Sequence, residues 1–199
     1  MTRSELMNLL CAAGDAHISG IMATTNPTTA DCSIEPSAAV LIGLVPIQGT
    51  WNILLTRRSE HLRFHGGQIS FPGGLCEPED SNLTATALRE TREETGVPEQ
   101  AWQILRTQPS CLVRNGTLVV PILAIADELP TYIPNSDEVA EIFHLPLNFA
   151  LDTSRYNSRP FFYEGEHLQV HTLPYQHYDI WGATATMLYQ LAQSVSPHR

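Results

Sequence analysis

The 199-residue chain has no lysine, and all eleven of its basic residues are arginines. A phosphate loop built on lysine and a Schiff-base mechanism are therefore both excluded. Charged residues make up only 16% of the chain, and 21 acids leave a net charge of −10. Proteins that grip nucleic acid need a surplus of cations, so no nucleic-acid partner is expected. A nucleotide stays possible, because one or two phosphates need only a local cluster of arginines. Long apolar runs are also missing: the longest, Ala38–Ile47, is broken by Gly43 and Pro46 and reads as a buried strand. It falls well short of the roughly 18 residues of a spanning helix. The segment Met1–Gly14 lacks the basic start and apolar core of a signal peptide, so a cytoplasmic protein with no membrane partner is expected. The four cysteines, Cys11, Cys32, Cys76 and Cys111, are too scattered for a CxxC pair or a metal knuckle, and fit idle thiols in a reducing compartment.

What is present is enough apolar material, 43%, for one real core. Ser4 with Leu6, Leu9 and Leu10 suggests a capped amphipathic helix, followed by an irregular, Thr- and Pro-rich lead-in that ends at Pro36. Residues 1–36 are thus set apart from a single domain over 37–199. Ala38–Pro46 and Trp51–Thr56 read as a strand pair, and Glu60–Pro78 as a glycine-rich loop. Thr84–Thr95 is helical, with Leu83, Ala87, Leu88 and Thr91 on an apolar face and Gly96 and Pro98 as stops. Strands are expected at Trp102–Arg106, Cys111–Arg114, Leu118–Ala126 and Glu138–Phe143, the second and third joined through Asn115-Gly116. A short helix near Pro146–Leu151, a hairpin (Phe161–Tyr163 with Leu168–Leu173, turned at Glu164-Gly165-Glu166) and a closing helix Ala183–Val195 complete an α/β sandwich.

The acids are not evenly spread. Seven of the 21 fall between Glu77 and Glu99, and Arg89-Glu90-Thr91-Arg92-Glu93-Glu94-Thr95-Gly96 concentrates three carboxylates on one helix face. Such a string alone also fits a solvated face, with Arg89 and Arg92 pairing the acids. The turn Phe71-Pro72-Gly73-Gly74 just upstream shifts the balance. It offers bare backbone for close approach to a metal or phosphate, and three mutually repelling carboxylates are relieved by a hard cation such as Mg²⁺.

At these residues the chain resembles the Nudix hydrolases, whose box reads Gly, five residues, Glu, seven residues, then Arg-Glu-U-x-Glu-Glu-x-Gly-U with U aliphatic. Arg89–Val97 matches the second half, with Thr91 in the first aliphatic place. In the first half, five residues after Gly74 lead to Asp80, and eight rather than seven then lead to Arg89. The roles of Asp80, Glu79 and Glu77 are left open by that offset. Upstream, Leu54-Leu55-Thr56-Arg57-Arg58-Ser59, Leu62-Arg63, His65, Gly67-Gln68 and Phe71–Gly74 resemble the motif of the coenzyme A pyrophosphatase branch. Weaker likeness continues through Pro134–Val139 and Trp181–Ala185.

The resemblance implies an α/β/α sandwich with a mixed central sheet and a metal-dependent hydrolase using Mg²⁺ (or Mn²⁺). It implies Glu90, Glu94, Glu93 and Gly74 at the metal, with Glu93 or Glu138 as base. Arg89 would fix a carboxylate of the box helix. Arg57, Arg58, Arg63, His65 and Gly73 are candidates for the substrate's phosphates, because guanidinium matches phosphate in two-pronged fashion. His61 reads as incidental. Tyr178 and Trp181 could stack on adenine or simply fill the core. The substrate implied is a small molecule, coenzyme A or a derivative, cut to 3′,5′-ADP and 4′-phosphopantetheine. The competing readings are a pyrophosphatase for ADP-ribose, dinucleotides or another nucleoside diphosphate derivative, a non-catalytic nucleotide sensor, and an acidic interaction domain. A homodimer is compatible with all of them.

Overall fold

A computed structural model describes residues 1–12, 36–113, 116–163 and 165–195. The lead-in from 13 to 35, with Cys32, and the turn residues Arg114, Asn115 and Glu164 lie outside the described residues. Helix α1 spans Arg3–Ala12. The first strand pair forms as its turn chemistry dictates: β1 (Ala38–Ile47) and β2 (Thr50–Arg58) are antiparallel, with Ile47 opposite Thr50. Two short strands break up the segment read as loop. These are β3 (Ile69–Ser70), beside β2, and β4 (Gly73–Leu75), beside β1.

Helix α2 covers Leu83–Thr95. Asn82 starts it by accepting the N–H of Ala85 at 3.0 Å, and Gly96 ends it with φ of 74°. Its buried face differs from the apolar stripe expected: Thr86, Ala87, Thr91, Glu94 and Thr95 are buried, while Leu83 and Leu88 are only partly covered. Thr91 stands in for an aliphatic residue because its hydroxyl donates to the Ala87 carbonyl at 2.6 Å, which leaves no unmet polar group.

The chain continues through β5 (Gln103–Thr107), β6 (Cys111–Leu112), β7 (Leu118–Ile125), β8 (Val139–Pro146) and α3 (Leu147–Ala150). It closes with β9 (Asn157–Tyr163), β10 (Glu166–Tyr175), β11 (Tyr178–Trp181) and α4 (Gly182–Val195). The central sheet has eight strands, ordered β3-β2-β1-β7-β5, with β4 on β1, β6 on β7 and β8 on β2. It is mixed, as expected, because β1 and β7 run parallel while the other pairs are antiparallel.

Successive strand residues face opposite ways, so the sheet has two cores. Leu41, Val45 and Leu54 meet Ala87 of α2, together with Val97 and Trp102. Ile42, Leu44, Ile53 and Leu55 meet Leu188 and Leu191 of α4, and Leu6 and Leu10 of α1. The three-stranded sheet β9–β11 adds Leu173 and Ile180 to that second core. Tyr178 is buried there, its ring stacked on Phe143 at 3.8 Å, which excludes it as an adenine platform. No helix among the described residues is long and apolar enough to cross a membrane.

Candidate active site

Glu94 sits on the last turn of α2 with 1% of its surface exposed. One of its oxygens, Oε1, lies 3.5 Å from Nη1 of Arg58, and the other, Oε2, has no hydrogen-bond partner. Burial pushes its pKa up to about 8, against the pull of Arg58 and with added push from Glu90 and Glu138. Glu90, one turn earlier, is also shifted up, first by burial and then by Glu93 and Glu138, with Arg89 opposing. Glu90, Glu94 and Glu138 thus repel one another in one pocket of low dielectric.

Glu138 reaches this group from the loop before β8. That loop is bolted to α2, since the N–H of Ile133 donates to the Thr95 carbonyl at 2.8 Å and that of Asn135 to the Glu94 carbonyl at 3.0 Å. Asn135 Nδ2 also donates to Glu138 Oε1 at 3.3 Å, and the Ser59 N–H donates to the Glu138 carbonyl at 2.8 Å. Asn135 and Ser59 hold the acid in place, and neither role is legible from sequence spacing. Glu93 lies apart: its side chain is 46% exposed and turned to Arg89 and Arg92.

Arg89 explains the offset in the box. Its Nε and Nη2 donate to both oxygens of Asp80, at 3.0 and 2.9 Å, while Nη1 donates to Glu90 and Glu93 at 3.0 and 3.1 Å. Nη2 also reaches the Leu75 carbonyl at 3.0 Å. The hydrogen bond from Arg89, followed by one from the Glu77 backbone, holds the Asp80 carboxyl well below the usual range. Asp80 therefore anchors the arginine that orients Glu90; Glu77 is a more distant partner at 3.8 Å. The signal was the spacing of five residues after Gly74.

The two glycines are steric necessities. A Cβ on Gly74 would overlap the Glu90 carboxylate, and one on Gly73, whose φ is 154°, would strike the backbone of Ala39 and Val40. The arginines, in contrast, do not converge. Arg58 faces α2, whereas Arg57 turns to the other side of β2, where its Nε donates to Glu141 at 3.1 Å and Glu141 accepts from Tyr178 Oη at 2.7 Å. Arg63 is exposed in the 59–68 loop, its guanidinium 5.1 Å from the Phe64 ring. His65 is exposed in the same loop, with Nδ1 bonded to Gln68 at 3.0 Å.

Among the described residues, no three His, Cys, Asp or Glu side chains stand in ready-made coordination geometry. The donor set nonetheless fits a hard divalent cation. Glu94 Oε2 is an orphaned oxygen almost wholly removed from water, and its neighbours Glu90 and Glu138 carry the same charge. Cys76 is exposed and Cys111 buried, both as free thiols.

A family model described as NUDIX domain matches residues 35–164. A protein of Yersinia pestis (strain Pestoides F), described as the uncharacterized Nudix hydrolase NudL, is 40% identical over 159 residues, 80% of this chain and 79% of its own length. Among solved structures, the Nudix hydrolase RenU of M. smegmatis aligns with a TM-score of 0.48 at 23% identity, over 57% of this chain and 71% of that one. The NUDIX domain of Shewanella oneidensis NrtR, cocrystallised with ADP ribose, aligns with a TM-score of 0.47 at 20% identity, over 76% and 87%.

Proposed function

The chain belongs to the Nudix family, and from that premise we propose that it hydrolyses the diphosphate of coenzyme A and its derivatives to 3′,5′-ADP and 4′-phosphopantetheine or its acylated form. The observation that supports this reading is the meeting of two motifs. Arg58, from the segment that resembles the coenzyme A pyrophosphatase branch, faces Glu94 of the box helix, and Gly74 abuts Glu90. The box alone fits many diphosphate substrates; the upstream segment narrows them. The chemistry is assigned to a single domain, residues 37–199, with 1–36 as its lead-in.

Glu90 and Glu94, with the backbone of Gly74, would hold Mg²⁺ or Mn²⁺, which when bound polarises phosphoryl oxygens and acidifies a water. Glu138 is the base that takes the water's proton, since its carboxylate is only weakly held, by Asn135. Glu93 is already committed to Arg89, at 3.1 Å, and fits a supporting role better. The water's oxygen bonds to one phosphorus, the bridging P–O bond breaks, and its electrons leave with the departing phosphate. Arg89 keeps Glu90 aimed through its clamp on Asp80. Arg58 faces the diphosphate, and Gly73 gives the chain its close approach. Arg63, with His65 in the same exposed loop, would meet the 3′-phosphate.

The test is kcat/KM on coenzyme A, dephospho-coenzyme A, ADP-ribose and NADH, with Mg²⁺ or EDTA. The proposal requires coenzyme A to lead and EDTA to abolish turnover. An EDTA-resistant activity, or ADP-ribose as the best substrate, overturns it.

A further inference from the structure

Two arginines touch the carboxylates of this site, and they are built differently. Arg89 is a fixed clamp, with two bonds to Asp80 and further bonds to Glu90, Glu93 and the Leu75 carbonyl, all between 2.9 and 3.1 Å. Arg58 has one loose contact, at 3.5 Å to Glu94, and its side chain is 26% exposed. Its backbone is nevertheless rigidly held. The Arg58 N–H donates to the Gln68 carbonyl at 2.9 Å, its carbonyl accepts from Gly67 at 3.0 Å, and a register shift in β8 sets it opposite Val139. Its side chain, by contrast, is partly open to solvent. Glu94 at 1% exposure cannot stay charged without a cation beside it.

We infer that Arg58 is an exchangeable partner of Glu94. It rests against the Glu94 carboxyl while no metal ion is bound, and it passes to the substrate's diphosphate once a divalent cation takes the carboxylates. This rests on the proposed reading of Glu90 and Glu94 as the metal site. Metal entry and substrate binding are then coupled through one side chain, because the ion that displaces the guanidinium from Glu94 frees it for phosphate.

The coupling makes two readouts move in opposite directions. Neutralising Arg58 removes a positive charge that repels the incoming ion. Mn²⁺ titrated calorimetrically into the substrate-free enzyme at pH 8.5 should bind Arg58→Gln about three- to tenfold more tightly than wild type. KM for coenzyme A at saturating Mn²⁺ should rise about ten- to a hundredfold. Arg58→Lys should return both values toward wild type. Arg92→Gln, a charge loss at an exposed ion pair with Glu93 and Glu99, should leave Mn²⁺ affinity within about twofold. Arg58→Met supplies the same comparison should Gln not be tolerated. A merely structural arginine would weaken metal and substrate together. Unchanged or weaker Mn²⁺ binding in the neutral variants, with wild-type binding intact, overturns the inference. Failure of the wild type to bind Mn²⁺ overturns instead the metal site on which it rests.

Discussion

Glu94 makes the metal-free protein lose stability as the pH rises. Its carboxyl has an ordinary pKa of 4.5 and is pushed up to about 8 in the fold, chiefly by burial. Between those values the folded chain holds a proton that the unfolded chain has released, so the free energy of unfolding falls with slope about 1.4 kcal/mol per pH unit. The stability lost from pH 4.5 through about 8 is then on the order of 3–5 kcal/mol, with little change above. At 1% exposure there is no solvent screening to discount. Glu94→Gln keeps the shape but has no proton to lose. Urea unfolding in EDTA at steps from pH 5 to 9 separates the two. Wild type should fall along this range and the variant much less, so that the variant is the more stable protein at pH 8. Mg²⁺ should restore wild type at pH 8 and leave the variant nearly unmoved. Parallel pH profiles for the two proteins, or a wild type more stable than the variant at pH 8 without metal, would show that Glu94 is not the group that titrates.

Four further outcomes follow from the geometry. Gly74→Ala puts a Cβ into the Glu90 carboxylate and should lower kcat about ten- to a hundredfold while the circular dichroism spectrum is preserved. Asp80→Asn removes the two-oxygen clamp on Arg89 and should cut kcat about tenfold or more, with KM for coenzyme A changing less, as read by steady-state kinetics. Glu138→Gln should lower kcat far more than it raises KM, and an unchanged kcat would exclude Glu138 as the base. Arg63→Gln should narrow the preference for coenzyme A over dephospho-coenzyme A about tenfold, whereas a uniform loss on both would place that arginine at the diphosphate.

Much of this arrangement is legible in the chain because it rests on local rules. Helix α2 begins and ends where Asn82 and Gly96 require, and the hairpin β1–β2 turns at Gln48-Gly49. Strands of two or three residues, such as β3 and β4, are too short for a period to show, which is why the glycine-rich segment reads as loop. β11, four residues long between β10 and α4, is missed as well. The split of the arginines was available in principle, since neighbours on a strand point opposite ways, so Arg57 and Arg58 could not share a face. Asp80 was visible as a spacing but not as a role, because its partner Arg89 meets it only when the loop folds back on the helix. Ser59 acts through backbone and hydroxyl contacts to segment 136–138, which no sequence period links to it, and Asn135 carries no mark of its bonds to Glu138 and to the Glu94 carbonyl.

The most direct measurement is the mass of the products after coenzyme A, ADP-ribose and NADH are each incubated with the protein and Mg²⁺. The expected products from coenzyme A are 3′,5′-ADP and 4′-phosphopantetheine, with neither formed in EDTA or by Glu94→Gln. Coenzyme A recovered intact beside cleaved ADP-ribose or NADH would contradict it.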